Sequence, residues 1–201
     1  MQVGWQCSGN WHGRNGRHTR LKTAQPSQDS SLAQFERLHV KPKAGRTLIV
    51  GSQVYKDKED RRLRYSDVVG VDMLEGPGVD RVIDLEEPLP DDLGTFDHVE
   101  CMSVLEHSRR PWLMSDAIER LMNPGSTIFL TVPLTWRIHG YPSDYWRLTP
   151  NAVRSIFPNI EWQTLMLASN DLRDGPKIAA VKKEGHPYLA RTDTVGFGVK
   201  V

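Results

Sequence analysis

From Thr47 onward, short apolar runs alternate with polar turns. Thr47-Leu48-Ile49-Val50 ends at Gly51, Val68-Val69-Gly70-Val71 at Asp72, and Arg81-Val82-Ile83 at Asp84. Phe96 to Met102 is a fourth run, and Thr127 to Val132 is a fifth, ending at Pro133. None alternates cleanly, which suits strands buried on both faces of a parallel sheet. Between them, Pro111 to Met122 carries Leu113, Met114, Ala117, Ile118, Leu121 and Met122 at helical spacing. Pro111 fits a first helical position, and Asn123-Pro124-Gly125 stops the helix. Thr149-Pro150 predicts a further helix with Thr149 as N-cap; it carries Val153, Ile156 and Phe157 and ends by Pro158. Leu32, Phe35, Glu36 and Leu38 suggest one short helix, and the charged stretch Lys56 to Arg64 another. Trp162–Leu167 and Ile178–Val181, separated by turn residues, read as a terminal hairpin. Strand–helix alternation closed by a hairpin predicts a doubly wound α/β sheet with one strand reversed near an edge.

Residues 1–31 break this pattern. They are rich in Gly, Ser, Gln, Asn and Arg, with Trp5 and Trp11 as the large aromatics, and no period survives. The reading is a flexible or lid-like segment at 1–31 followed by one domain at 32–201. With 201 residues, the chain has room for one sizeable core. A net charge of +1 exerts no global pull on nucleic acid or anionic lipid. The basic run Arg14, Arg17, Arg20 and Lys22 is the exception. It reads as a solvated segment, with phosphate groups as its natural target if it binds at all. Cys7 and Cys101 lie far apart, so neither a disulfide framework nor a metal cluster is expected, and a reducing cytoplasm is the simpler location. No apolar run approaches the roughly 20 residues of a membrane helix.

The strand ends carry the first chemistry. Ligands of such sheets sit beyond the carboxyl ends of the strands. Gly51 admits a close backbone approach. Asp72, 21 positions later, is placed to take both hydrogen bonds of a ribose diol. On spacing alone Asp72 and Asp84 equally suit turn caps, and NAD would explain a ribose carboxylate as well as any other nucleotide.

A resemblance separates these readings. Leu48-Ile49-Val50-Gly51, Val69-Gly70-Val71-Asp72, Ile83-Asp84-Leu85, the block Phe96-Asp97-His98-Val99-Glu100-Cys101-Met102-Ser103-Val104-Leu105-Glu106-His107, then Leu121-Met122-Asn123-Pro124-Gly125-Ser126 and Thr131-Val132-Pro133 resemble, in order, the class I S-adenosylmethionine-dependent methyltransferases. The match spans about residues 46–160, and His139 to Pro150 looks like a bacterial and phage subgroup of type 11-like members. The resemblance implies a Rossmann-like, doubly wound, mostly parallel seven-stranded sheet. It implies S-adenosyl-L-methionine as cofactor and methyl transfer to an unidentified acceptor, whether small molecule, glycan or other biomolecule. Gly51 and Ser52 would pass the methionine moiety, Asp72 would hold the ribose, and Met73 would lie against adenine. Asp84 would accept from the adenine amino group beside Leu85, and Cys101 and Met102 would offer backbone to the methionine end. One departure stands out. The first glycine loop of the family has three alternating glycines, whereas Gly51-Ser52-Gln53-Val54-Tyr55-Lys56 has one.

Glu106-His107 suits a general base or a mere tie between loop and helix. The loop from Arg137 to Arg147 follows the fifth strand and is expected to wall the acceptor site. His139, Tyr141 and Asp144 are its candidate catalytic groups. The competing reading of the loop is a packed Tyr145-Trp146 corner with an Asp144–Arg147 salt bridge. Two other functions fit parts of the pattern: a catalytically silent methyltransferase-like binding subunit, favoured by the thinned glycine loop, and a nucleotide-dependent oxidoreductase.

Overall fold

Thr47–Val50 forms strand β1 at the middle of the sheet, with all four residues buried. The computed structural model describes residues 35, 38–40, 44–55, 58–140, 142–171 and 190–201. The segment 1–31 and Cys7 therefore lie outside the described residues. The remaining strands are β2 (Val68–Asp72), β3 (Arg81–Val82), β4 (Phe96–Met102), β5 (Met122–Thr135), β6 (Ile160–Asp171) and β7 (Ala190–Lys200). Their order across the sheet is β3-β2-β1-β4-β5-β7-β6. The first five neighbours pair in parallel, and β7 runs antiparallel to both β5 and β6. The sheet is thus the expected mostly parallel, seven-stranded one with a single reversed strand.

The terminal hairpin differs from the expected one. Its first arm is the longer β6, and its second arm is β7, whereas Ile178–Val181 lies outside the described residues. Gly196 and Gly198 obscured β7 in the sequence, since glycine weakens a strand pattern. Both have a packing reason. A Cβ at Gly196 would come within 2.5 Å of the Trp162 ring, and one at Gly198 within 2.4 Å of Ile160. The helix expected at Lys56–Arg64 is instead a single 3-10 turn, Arg61–Arg64, capped by Asp60. It buries no side chain, so nothing offsets the cost of nucleating a longer helix.

Side chains alternate across the sheet as strand geometry requires. Val99, Cys101, Ile128, Leu130 and Val132 face one side, where helix α1 (Pro111–Leu121) sets Ala117, Ile118 and Leu121 and helix α2 (Pro150–Ile156) sets Val153 against them. Each fully buried Leu or Ile of this face contributes about 1.5–3 kcal/mol. Phe129, Ala168 and Val195 face the other side and pack on Phe35. Thr149 caps α2 as expected, its hydroxyl accepting from the Ala152 N–H at 3.2 Å. Among the described residues no helix is long and apolar enough to cross a membrane. β1 is flanked by β2 on one side and β4 on the other. The connections leave in opposite directions there, and a crevice opens at the carboxyl ends.

Candidate functional site

That crevice is a cleft of about 1210 Å³. Gly51, at the end of β1, has φ +65°, in the left-handed region that favours glycine. A Cβ there would lie 2.5 Å from Val104 Cγ2, so the turn after β1 sits directly against the turn after β4. Asp72, at the end of β2, accepts from the backbone N–H of Gln53 and of Leu74, each at 3.2 Å. These two bonds spread the carboxylate across the mouth of the cleft and are long enough to leave it acceptor capacity. Met73 and Leu74 are exposed beside it, and Leu85 is buried as part of the floor. Asp84 is exposed and accepts from the Glu86 N–H at 2.9 Å, closing the turn after β3.

The side chains that thin the glycine loop, Gln53 and Val54, meet glycines on the adjacent loop. Gln53 lines the wall, and the facing loop offers Gly76, where a Cβ would lie 2.2 Å from Gln53 Nε2. Val54 turns away from the cleft towards Gly78, and its N–H donates to the Pro77 carbonyl at 2.7 Å. Gly76 and Gly78 thus make room for the side chains of Gln53 and Val54. Gly78 has φ +85°, and a Cβ there would meet Val54 Cγ2 at 2.6 Å and the Ser52 carbonyl at 2.7 Å. Gly78→Ala is therefore expected to cost about 2 kcal/mol, through backbone strain and displacement of the 51–55 loop. On a domain of this size that lowers the melting temperature by about 4–8 °C. A melting curve that matches the parent would show that the loop yields freely.

The loops after β3, β4 and β5 are knitted together. Glu86 accepts from Ser108 Oγ at 2.8 Å, from the Arg109 N–H at 2.7 Å and from Arg110 Nε at 2.9 Å. Burial pushes its carboxyl up, but the Arg110 and Ser108 bonds outweigh this and hold it below the usual range. The Glu106 carbonyl accepts from the Tyr145 N–H at 2.7 Å, and Trp146 Nε1 donates to the Ser108 carbonyl at 2.9 Å. Asp144 is the hub of the last loop. Its carboxylate takes Arg147 through both guanidinium nitrogens, at 2.5 and 2.8 Å, and also accepts from the His139 N–H at 3.0 Å. Burial raises the Asp144 carboxyl, yet Arg147 and His139 together bring it down to about 2. Arg147 also donates to the carbonyls of Trp136, Arg137 and Trp146.

The structure brings Gly51, Ser52, Asp72, Met73, Asp84, Leu85 and Met102 onto one cleft wall. Cys101 lies behind that wall, fully buried, where desolvation drives its thiol up to about 12. His139 lines the opposite wall with Pro142, Ser143 and Tyr145. Asp144 is bound into its ion pair beneath them, Trp146 packs towards the core, and Tyr141 lies outside the described residues. The expected Asp144–Arg147 salt bridge and the packed Trp146 are thus present, while Tyr145 lines the cleft with His139. Several cleft residues escaped the sequence reading. Arg191 enters from β7 and donates to Ser103 Oγ at 2.9 Å. Ser103 itself has φ +55°, uncommon for a residue with a side chain, and nothing in the sequence signals it. His107, which the sequence offered as a general base or as a tie between the strand-four loop and its helix, has its Nδ1 facing the Ser143 carbonyl at 2.7 Å, a bond to the loop after β5.

No protein-family profile matches the chain, and no curated protein matches it. Solved structures do. The N-methyltransferase NodS of Bradyrhizobium japonicum, solved with S-adenosyl-L-homocysteine, is 10% identical with a TM-score of 0.53, over 84% of this chain and 84% of NodS. A 1,6-didemethyltoxoflavin-N1-methyltransferase of Burkholderia thailandensis, solved with its toxoflavin precursor and S-adenosylhomocysteine, is 15% identical with a TM-score of 0.58, over 84% of this chain and 76% of that one. The cyclase SpnF is 16% identical with a TM-score of 0.57, over 84% of this chain and 79% of its own. At such identities the shared property is the fold.

Proposed function

On the class I methyltransferase fold that this chain adopts, we propose that the cleft binds S-adenosyl-L-methionine and that the chain transfers its methyl group to an acceptor entering past the loop after β5. The observation that carries this reading is the left-handed Gly51 turn beside the Asp72 carboxylate in one cleft. Such a pair suits a nucleoside joined to a flexible polar tail: backbone without a Cβ for the tail, and a carboxylate with two oxygens for a ribose diol. Gly76 and Gly78, which accommodate Gln53 and Val54, support a cofactor-binding cleft despite the thinned glycine loop.

When bound, the cofactor supplies an electrophilic methyl on a sulfonium, so the protein's task is to align and desolvate. Asp72 would hold the ribose, Asp84 would accept from the adenine amino group beside Met73 and Leu85, and Gly51 and Ser52 would let the methionine end pass. The Met102–Ser103 backbone borders that end, and Cys101 contributes through the strand behind it. His139, Pro142, Ser143 and Tyr145 close the acceptor side and limit water. Of the three candidate bases, Asp144 is already committed to Arg147, and His139 keeps an Nε2 lone pair. The acceptor is a small molecule, glycan or other biomolecule that this wall admits.

Mass spectrometry of ligand carried through purification, followed by calorimetry, tests the reading. At about 100 times its dissociation constant, S-adenosylmethionine should stabilise the fold by roughly 2.7 kcal/mol. Stabilisation by NAD and not by S-adenosylmethionine would replace the reading with the oxidoreductase one; no response to either would favour the silent subunit. A finer outcome concerns Asp84. Asp84→Asn should weaken cofactor binding about tenfold by removing a charge-assisted bond. The amide oxygen still accepts from Glu86, so the melting temperature should stay put. Normal affinity would reduce Asp84 to a turn residue.

A further inference from the structure

Glu106 has no accessible surface in the folded chain, and neither of its carboxylate oxygens has a hydrogen-bond partner. Leaving a buried carboxylate unpartnered is costly, so its surroundings call for an explanation. Oε1 faces the Nε2 atoms of two histidines, at 3.7 Å for His107 and 4.0 Å for His139. Both separations exceed a hydrogen bond, which ends near 3.2 Å.

The far nitrogens of the two rings fix what those Nε2 atoms are. His107 Nδ1 lies 2.7 Å from the Ser143 carbonyl, which can only accept, so Nδ1 carries the proton. His139 Nδ1 lies 2.8 Å from Asp144 Oδ2 and 3.3 Å from the Arg137 carbonyl, again acceptors. With Nδ1 so engaged, Nε2 is the atom that each ring offers to a ligand on the Glu106 side. Three potential ligand atoms, one from each side chain, lie within 4.8 Å of one another. Carboxylate and carbonyl partners behind ligating histidines are what orients a metal-binding imidazole.

We propose that Glu106 and the Nε2 atoms of His107 and His139 bind a divalent first-row transition ion, with zinc(II) the best match to two imidazoles and one carboxylate. Ligands about 2.1 Å from a tetrahedral zinc stand roughly 3.4 Å apart, so the two Glu106–histidine pairs, at 3.7 and 4.0 Å, lie close to that spacing, and the group as a whole, within 4.8 Å, must close by at most about 1.4 Å. Three protein ligands leave a coordination position open, as in catalytic rather than structural zinc sites. His107 and His139 both line the cleft, so that position faces it. The site stands on its own geometry and does not depend on methyl transfer.

The test uses metal alone. The chelator-treated full chain is titrated with Co²⁺, read by its visible absorption, and then with Zn²⁺ as competitor. One equivalent of Co²⁺, displaced by Zn²⁺, is expected, with affinity falling at least a hundredfold in His139→Ala, whose ring sits in a loop. Of the 7 histidines in the chain, two should show shifted Nε2 resonances in a ¹⁵N spectrum on adding Zn²⁺. That measurement needs no substitution and stands even if the variant fails to fold. Absence of stoichiometric binding, unchanged affinity in a folded His139→Ala, or any other number of shifted histidines overturns the proposal.

Discussion

Asp144→Ala is expected to lower the melting temperature by about 6–12 °C, corresponding to about 3 kcal/mol on a domain of this size. The side chain is 1% exposed and holds a guanidinium that is itself three-quarters covered. Removing the carboxylate strands Arg147 among carbonyls and frees His139, the two groups that shape the loop after β5. Breaking such a pair by deleting one partner is the costly way to break it, because the other charge stays behind. The same carboxylate gives the fold an acid limit. Its value is about 2 in the folded chain against 3.8 for the free group. The stability it adds is complete above about pH 4 and is lost as the pH falls towards 2. Thermal melts of parent and variant between pH 7 and pH 2 should therefore converge at the acid end. An equally stable variant at pH 7 would show that the ion pair is ornamental and would return Asp144 to the list of candidate bases.

The largest effect on ligand binding is expected at Asp72. Asp72→Ala should weaken S-adenosylmethionine binding about a hundredfold, the loss of two charge-assisted bonds at about 1.5 kcal/mol each. The melting temperature without ligand should move little, because the carboxylate is only partly buried and its two backbone bonds are 3.2 Å long. Calorimetry reads the affinity directly. A folded variant that binds as tightly as the parent would remove Asp72 from the site and leave the Gly51 turn without its counterpart.

These two residues mark how far the sequence could be read. Asp72 was legible because strand length and turn position are local, and 21 residues of spacing carry it to the cleft. The same holds for Gly51, Asp84, the Pro111 helix and the Thr149 cap. Asp144 could be read two ways, since both a catalytic carboxylate and an ion pair suit an exposed-looking Asp-Tyr-Trp-Arg stretch. Only burial separates them. What escaped was non-local. Gly76 and Gly78 compensate for Gln53 and Val54 across a gap of more than 20 residues. Arg191 reaches Ser103 from 88 residues away. β7 was invisible because its glycines answer to Trp162 and Ile160 on the neighbouring strand rather than to any periodicity of their own.

The place of β7 also governs how the chain must be assembled. Among the described residues it is the last of the seven strands along the chain, yet it lies inside the sheet, and β6 has no other strand partner there. During vectorial synthesis the first five strands can associate while β5 still presents a bare edge, and β6 waits without a ladder to join. Unpaired edges of apolar strands are templates for intermolecular pairing, and closure across a long connection is slow. The interval before β7 docks is thus the period of greatest aggregation risk. A break between β6 and β7, or loss of residues 190–200, would undo two strands rather than one.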